Sequence, residues 1–302
     1  MEQGVIDVGS LPGGFDLQST VESGQSYLWS REDGTTYETA DAYGGSEWYW
    51  TTVRHPARDD PAVLRVRQVD GRLEWESHVD AADRLRHRLR LDDDLGQIVA
   101  ETPDDRLLRD AYETYGGMRL VRDPPFPTLV SFICSAQMRV ARIHRMQETL
   151  RQTFGQEITF DGNSYHAYPT PETLAETTEG KLRELGLGYR APYVQRSAEL
   201  VATDELDPAD ARGRPYEEAR SFLTGFVGVG DKVADCILLF SLEYLEAVPL
   251  DTWIRTTIEE YYPECDQGSY EETSRAIREA FGGKYAGYAQ TYVFHYLRNG
   301  GE

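Results

Sequence analysis

The hydrophobic period of this chain changes once, near residue 80, and that change restricts the fold more than any single motif. Before it, apolar residues alternate with polar ones. "VLRVRQVDGRLEWES" has two alternating runs around Asp70-Gly71, the signature of a tight β-hairpin. "EWYWTTVR" and "QSYLWS" read as further strands, separated by the turns "REDGTT" and "YGGS". From about residue 81 apolar residues recur at helical spacing. "AADRLRHRLRL", "PDDRLLRDAYETYG", "PTLVSFICSAQMRVARIHRMQETLRQTFG" and "TPETLAETTEGKLRELGLG" all show it. Thr170-Pro171-Glu172 opens the last of these, and Gly186 or Gly188 closes it. "DTWIRTTIEEYY", "SYEETSRAIREAFG" and "GYAQTYVFHYLRNG" continue the pattern toward the C-terminus.

Composition narrows the class. No apolar run approaches the ~20 residues of a membrane span. "MEQGVIDVGS" has neither a basic nor an apolar signal region, so the expected compartment is the cytoplasm. Cys134, Cys236 and Cys265 lie far apart with no CxxC pair, which argues against a zinc or iron–sulfur site and a disulfide framework. The net charge is −21, and only Lys181, Lys232 and Lys284 among the 31 basic residues are lysines. An acidic, lysine-poor surface points to a salt-adapted cytoplasm, or more simply to solubility. It also argues against a phosphate partner unless the local charge reverses.

One of the three lysines stands in an unusual place. "YEEARSFLTGF" and "KVADCILLFSLEYL" read as helices around a turn containing Gly225, Gly228 and Gly230. Such a helix–hairpin–helix lets bare amides approach a phosphate, and the helix opening near Asp231 points its positive end the same way. An ordinary helix–helix connection is the plain alternative. Downstream, "VPLDT" runs extended into a helix with Asp251 as its N-cap. Folding back over one connection can bring Asp251 near Lys232.

Together, "GVGDKVADCILLF" and "EAVPLDTWI" resemble the active-site signature of the helix–hairpin–helix–Gly/Pro–Asp DNA glycosylases, in the lyase-active branch that keeps a lysine. "SGQSYLW", "LVSFICSA", "LRELGLGYRAPYV" and "YAGYAQTYVF" extend the resemblance to the 8-oxoguanine DNA glycosylase family, nearly end to end and in the right order. The resemblance implies an α+β chain: an N-terminal antiparallel β-sheet domain over residues 1–115, then a mainly helical helix–hairpin–helix catalytic domain over 116–302.

It also implies roles. Lys232 would attack C1′ of the deoxyribose, expel the damaged base and nick the strand by β-elimination from the Schiff base. The attack needs a neutral amine, whereas free lysine titrates near about 10.4, and a closed apolar pocket is the general means of lowering that value. Arginine stays protonated and could not substitute. Asp251 would stabilise positive charge developing on the sugar. Phe294 and Cys236 would sandwich the flipped base, and Gln290 would meet its Watson–Crick edge. The Gly24 carbonyl would tell 8-oxoguanine, which carries a hydrogen on N7, from guanine, which does not. Arg142 and Arg190 would hold the orphaned cytosine, Tyr189 would wedge into the gap, and Gly228 and Gly230 would present hairpin amides. Arg139, Arg142, Arg145 and Arg151 would form a basic face. Each role has a plainer reading: a surface lysine, a helix cap, core packing, a turn, a solvated helix face.

The chain departs from the family at three places. Gln137 replaces an asparagine expected at the orphaned cytosine, Trp253 a histidine that contacts phosphate, and Val227 a hairpin proline. No cofactor is expected, though carbonyls of Thr224, Phe226 and Val229 could hold K⁺ or Na⁺. The expected partner is double-stranded DNA containing an oxidised purine, bound by a monomer, with no membrane. The alternatives are an alkyl-purine glycosylase of the same fold, a branch that typically lacks the lysine, and a non-catalytic DNA-docking module.

Overall fold

The computed structural model describes residues 1–38, 44–54 and 60–301. Five strands form one antiparallel sheet in the order β1-β5-β4-β3-β2. They are β1 (Glu2–Asp7), β2 (Ser30–Arg31), β3 (Tyr49–Arg54), β4 (Pro61–Val69) and β5 (Arg72–Ser77). Asp70 and Gly71 have φ of 49° and 71°, as a two-residue turn matched to the strand twist requires. Val66 faces Trp75 across that hairpin, and Leu64 and Leu73 join them in a core with Ile6, Trp29 and Tyr49. The strand expected at "QSYLWS" is reduced to Ser30 and Arg31. Upstream of it the Gln25 side chain bonds Thr20, Arg119 and Val121 backbone groups, tying this segment to the helical half instead of to a ladder. A short helix, α1 (Leu17–Glu22), capped by Asp16, escaped the alternation pattern. Tyr43 of the expected "YGGS" turn lies outside the described residues; Gly44 and Gly45 both have positive φ.

The helical half runs α2 (Ala82–Arg88), α3 (Leu95–Glu101), α4 (Arg106–Thr114), α5 (Pro125–Cys134), α6 (Val140–Phe154), α7 (Pro171–Glu176), α8 (Glu179–Glu184) and α9 (Ala191–Ala202). It continues with α10 (Tyr216–Leu223), α11 (Asp231–Ser241), α12 (Thr252–Tyr261), α13 (Tyr270–Ala280) and α14 (Ala286–Arg298). Two stretches that periodicity reads as single helices are each two. Between α5 and α6, Gln137 takes φ 56°, a left-handed conformation that ends a helix. Between α7 and α8, the Thr178 hydroxyl caps α8 by accepting from the Lys181 amide. A hairpin of β6 (Glu157–Phe160) and β7 (Asn163–His166) interrupts the helices. Its Asp161-Gly162 turn repeats the Asp-Gly signal of the first hairpin.

Helix α11 is the axis of this half. It is buried continuously from Val233 to Ser241, so its polar N-terminal end alone emerges. Asp235 lies at its centre with no exposed surface. Tyr216 and Tyr270 donate to its two carboxylate oxygens at 2.6 and 2.7 Å, and the Leu250 amide in turn donates to Tyr270 Oη at 3.1 Å. The chain entering α12 is thereby fixed to α11. Burial pushes the Asp235 carboxyl up from 3.8 to about 7, against the two tyrosines and the charges of Arg220 and Arg278. A raised folded-state value means that the fold binds this proton more tightly than the unfolded chain. Its contribution to stability therefore falls as pH rises from 3.8 to about 7 and is level above that. Asp235→Asn is expected to remove this slope. Urea midpoints at about pH 5 and about pH 8 should shift in the variant's favour, relative to wild type, at the higher pH. A pH-independent difference between the two proteins would mean that the carboxyl titrates normally.

Candidate active site

The hairpin between α10 and α11 is built as the glycine spacing suggests, with one restriction. Gly228 alone of the three glycines has positive φ, 84°, and a Cβ there would lie 2.7 Å from the Tyr193 ring. Gly230 is extended and caps α11, and a Cβ on it would meet nothing within 4 Å. The protein's own packing therefore does not demand glycine at 230. Val227, at the tip, is 40% exposed.

Lys232 sits in the first turn of α11. Its Nζ donates to Ser135 Oγ at 3.1 Å and lies 5.7 Å from the centre of the Phe132 ring. The Ser135 hydroxyl donates its own proton to the Phe132 carbonyl at 2.7 Å, which leaves its lone pairs for the lysine. Sequence reasoning missed Ser135, although it stands inside the quoted "FICSA". One turn along α11, Cys236 is buried, and burial pushes its thiol up to about 12 despite the Lys232 charge beside it. Asp251 caps α12, its Oδ1 accepting from the Ile254 amide at 2.9 Å. Burial raises its carboxyl above the ordinary range, opposed by Lys232 and the amides of Ile254 and Trp253. The cap and the neighbour of Lys232 are thus one residue.

These groups open into a cavity of about 870 Å³, within the range of about 300–1,000 Å³ usual for small-ligand sites. Gly24, Gln137, Lys232, Cys236, Asp251, Gln290 and Phe294 all line it. Gly24 has φ 97°. Among the described residues no donor reaches its carbonyl. Gln290 is buried on α14, one turn before Phe294.

Of the remaining predicted residues, Arg139 and Trp253 also line the cavity, and the others lie outside its lining. Tyr189 is 51% exposed, with the Arg190 guanidinium 4.3 Å over its ring. Arg190 itself is buried and donates to the Ala136 carbonyl, so it holds the turn that carries Gln137. Gln137, Arg139, Arg142 and Arg145 are exposed. Arg151 is not on that face: it is buried, paired with Glu148 and bonded to Ser30 and the Leu28 carbonyl. The basic face is therefore narrower than the count of arginines suggested. Trp253, 43% exposed, lines the cavity beside Asp251. Among the described residues no cluster of three or more His, Cys, Asp or Glu side chains is arranged for a metal, and no helix is long and apolar enough to cross a membrane.

Comparison with known proteins agrees with this geometry. Residues 10–129 match the 8-oxoguanine DNA glycosylase N-terminal domain, and residues 130–282 match the HhH-GPD superfamily base excision DNA repair proteins. The chain is 31% identical to a probable N-glycosylase/DNA lyase of Methanothermobacter thermautotrophicus, across 96% of this chain and 95% of that protein. It is 32% identical to the N-glycosylase/DNA lyase of Saccharomyces cerevisiae, across 79% of this chain and 66% of that protein. Its fold matches the Clostridium acetobutylicum 8-oxoguanine glycosylase/lyase, solved with double-stranded DNA containing cytosine opposite the lesion. The TM-score is 0.79 at 28% identity, covering 94% of this chain and 92% of that one. The chain belongs to the HhH-GPD superfamily of base excision DNA repair proteins, in the branch that carries the 8-oxoguanine DNA glycosylase N-terminal domain.

Proposed function

We propose that this chain is a bifunctional 8-oxoguanine DNA glycosylase and AP lyase acting on duplex DNA. The observation that carries the reading is the convergence of the Lys232 amine with Gly24, Gln290 and Phe294 on one cavity. The flipped nucleotide enters with its base between Phe294 and Cys236, its edge at Gln290 and its N7 toward the Gly24 carbonyl. The lone pair of Lys232 Nζ attacks C1′ as the bond to N9 breaks, and the departing base takes a proton. Ionised Asp251 stabilises the positive charge that develops on the sugar. The C1′–O4′ bond of the adduct then breaks, O4′ leaving as a hydroxyl with a proton from water to give the iminium; a proton leaves C2′, and the 3′-phosphate departs by β-elimination. Water then hydrolyses the imine and frees the lysine. Apart from water, the groups this route uses all belong to the chain, and the reading calls for no cofactor.

On the rim, Tyr189 fills the gap left by the base while Gln137 and Arg142 address the orphaned cytosine, with Arg190 supporting their turn. Gly228 and Gly230 bring amides to phosphate. The open space at Gly230 favours this role, since contact with a ligand is then its reason for lacking a side chain. The carbonyls of Thr224, Phe226 and Val229 are the oxygens we assign to a monovalent cation. The cavity and its rim come from one chain, which we assign to a monomer in the cytoplasm. Borohydride trapping on duplexes with 8-oxoguanine opposite each of the four bases tests the reading. A covalent adduct is expected opposite cytosine and none on an undamaged G·C duplex; lack of the first adduct refutes the assignment.

The net charge of −21 fits a salt-rich cytoplasm. Phosphate-driven binding with ~6–10 contacts loses about 10³–10⁵ between 50 and 200 mM salt. At 1 M salt the Debye length is about 3 Å, so repulsion between DNA and the acidic body is screened too. Stacking, the wedge and short hydrogen bonds survive. Activity is expected to rise from dilute buffer into high KCl, with Arg142→Ala costly throughout. An optimum near about 0.1 M salt followed by a steep decline would remove the salt-adapted reading.

A further inference from the structure

Helix α14 presents a third residue on the face that carries Gln290 and Phe294. Arg298 follows Phe294 by one turn, so the three residues lie along one stripe, and all three line the cavity. Its Nη1 donates to the Ser23 carbonyl at 3.0 Å, and its Nη2 to the Glu22 carbonyl at 3.1 Å. These are the two residues immediately before Gly24. The guanidinium also lies 5.4 Å from the centre of the Phe294 ring. Nη2 is 3.1 Å from His295 Nδ1, and burial holds that imidazole down at about 3, so it is neutral and able to accept.

One planar cation therefore grips the backbone of the loop that carries Gly24 and backs the ring that stacks on the base. The clearance is small: a Cβ built on Gly24 would be 3.1 Å from both Arg298 Nη1 and Phe294 Cε1. Tyr37 holds the same loop from another direction, through the carbonyls of Val21 and Ser26. Loss of the guanidinium would then leave the loop folded but free to shift relative to the ring.

We propose that Arg298 is a positioning residue for lesion discrimination: it sets the gap between the Gly24 carbonyl and the Phe294 ring, and so decides which purine seats for attack. The proposal rests on the reading of Gly24 and Phe294 as the base contacts. Arg298 acts in this proposal through those two groups and not through a contact of its own with sugar or base.

Arg298→Met and Arg298→Lys test it, in single-turnover excision of 8-oxoguanine opposite cytosine, nicking of a preformed abasic site, and thermal unfolding. Nicking uses Lys232 and Asp251 but no base. Arg298→Met is expected to lose on the order of 10- to 100-fold in excision, while nicking stays within about threefold of wild type. Arg298→Lys should recover part of the loss, because an ammonium can reach one carbonyl. Unchanged excision in Arg298→Met overturns the proposal, and so does equal loss of both activities alongside a lower Tm. If Arg298→Met does not fold, the ratio of excision to nicking in Arg298→Lys decides: a lowered ratio supports the role and an unchanged one overturns it. A wild-type protein that nicks abasic sites but ignores 8-oxoguanine locates the failure in the substrate reading, and the proposal falls with it.

Discussion

Lys232→Gln is expected to abolish excision and borohydride cross-linking together, by on the order of 10⁴-fold or more, while lesion DNA still binds. The amide nitrogen of glutamine has a delocalised lone pair and cannot form an iminium. The rest of the site is left in place: Cys236, Asp251, Gln290 and Phe294 hold their positions through their own helices. Binding contacts on the rim do not involve the lysine, so a duplex carrying 8-oxoguanine should be retained in a gel-shift assay. The chain makes the experiment unusually easy to interpret. Its other lysines are Lys181 and Lys284, both exposed and outside the cavity, Lys181 beside Glu184 and Lys284 on Tyr285. A cross-link that persists in Lys232→Gln would therefore have to come from one of those or the N-terminus, and Lys232 would lose its role.

Lys232 and Asp251 stand out in the chain because they lie at punctuation marks, whereas Gly24, Cys236, Gln290 and Phe294 are singled out only by the family resemblance. Gly228 and Lys232 mark a turn and a helix start, Asp251 is a helix cap, and Gln290 and Phe294 share one helical stripe. Local signals of that kind survive into the fold. What could not be read were the contacts made across sequence distance. Ser135 reaches Lys232 from the break between α5 and α6, and the break is invisible to periodicity because apolar spacing continues on both sides of Gln137. Arg151 counts with Arg139, Arg142 and Arg145 only by charge: nine residues from Arg142 is half a turn out of phase, which puts it on the buried stripe of His144 and Gln147, where it bonds the carbonyl of Leu28 and the hydroxyl of Ser30. Arg298 shows the same limit from the other side. Its place on the stripe of Gln290 and Phe294 was available, but its partners, Glu22 and Ser23, stand at the opposite end of the chain.

Gly24→Ala is expected to cut excision of 8-oxoguanine by about 10- to 100-fold, while binding to a duplex with an abasic-site analogue changes by less than about threefold. Two physical terms act. The residue has φ 97°, and an L side chain in the left-handed region costs roughly 1–2 kcal/mol, so the backbone would relax toward negative φ and swing its carbonyl. The added methyl would also press on Phe294 Cε1, Arg298 Nη1 and Val140 Cγ1, each 3.1 Å away. The guanidinium is bonded to this loop through the Ser23 and Glu22 carbonyls, so the loop and its clamp shift together against the ring. Either movement takes the carbonyl off the position where it meets a hydrogen on N7 of the lesion or a lone pair on N7 of guanine. In the proposed reading the discrimination is the difference between an attraction and a repulsion at one oxygen, and it would be lost steeply with misplacement because hydrogen bonds weaken sharply off-axis. An abasic analogue puts no base into the cavity, and its binding depends on the rim, the hairpin and Asp251. Excision and abasic binding should therefore separate. Equal losses on both DNAs would mean that Gly24 only shapes the loop and that N7 is read elsewhere.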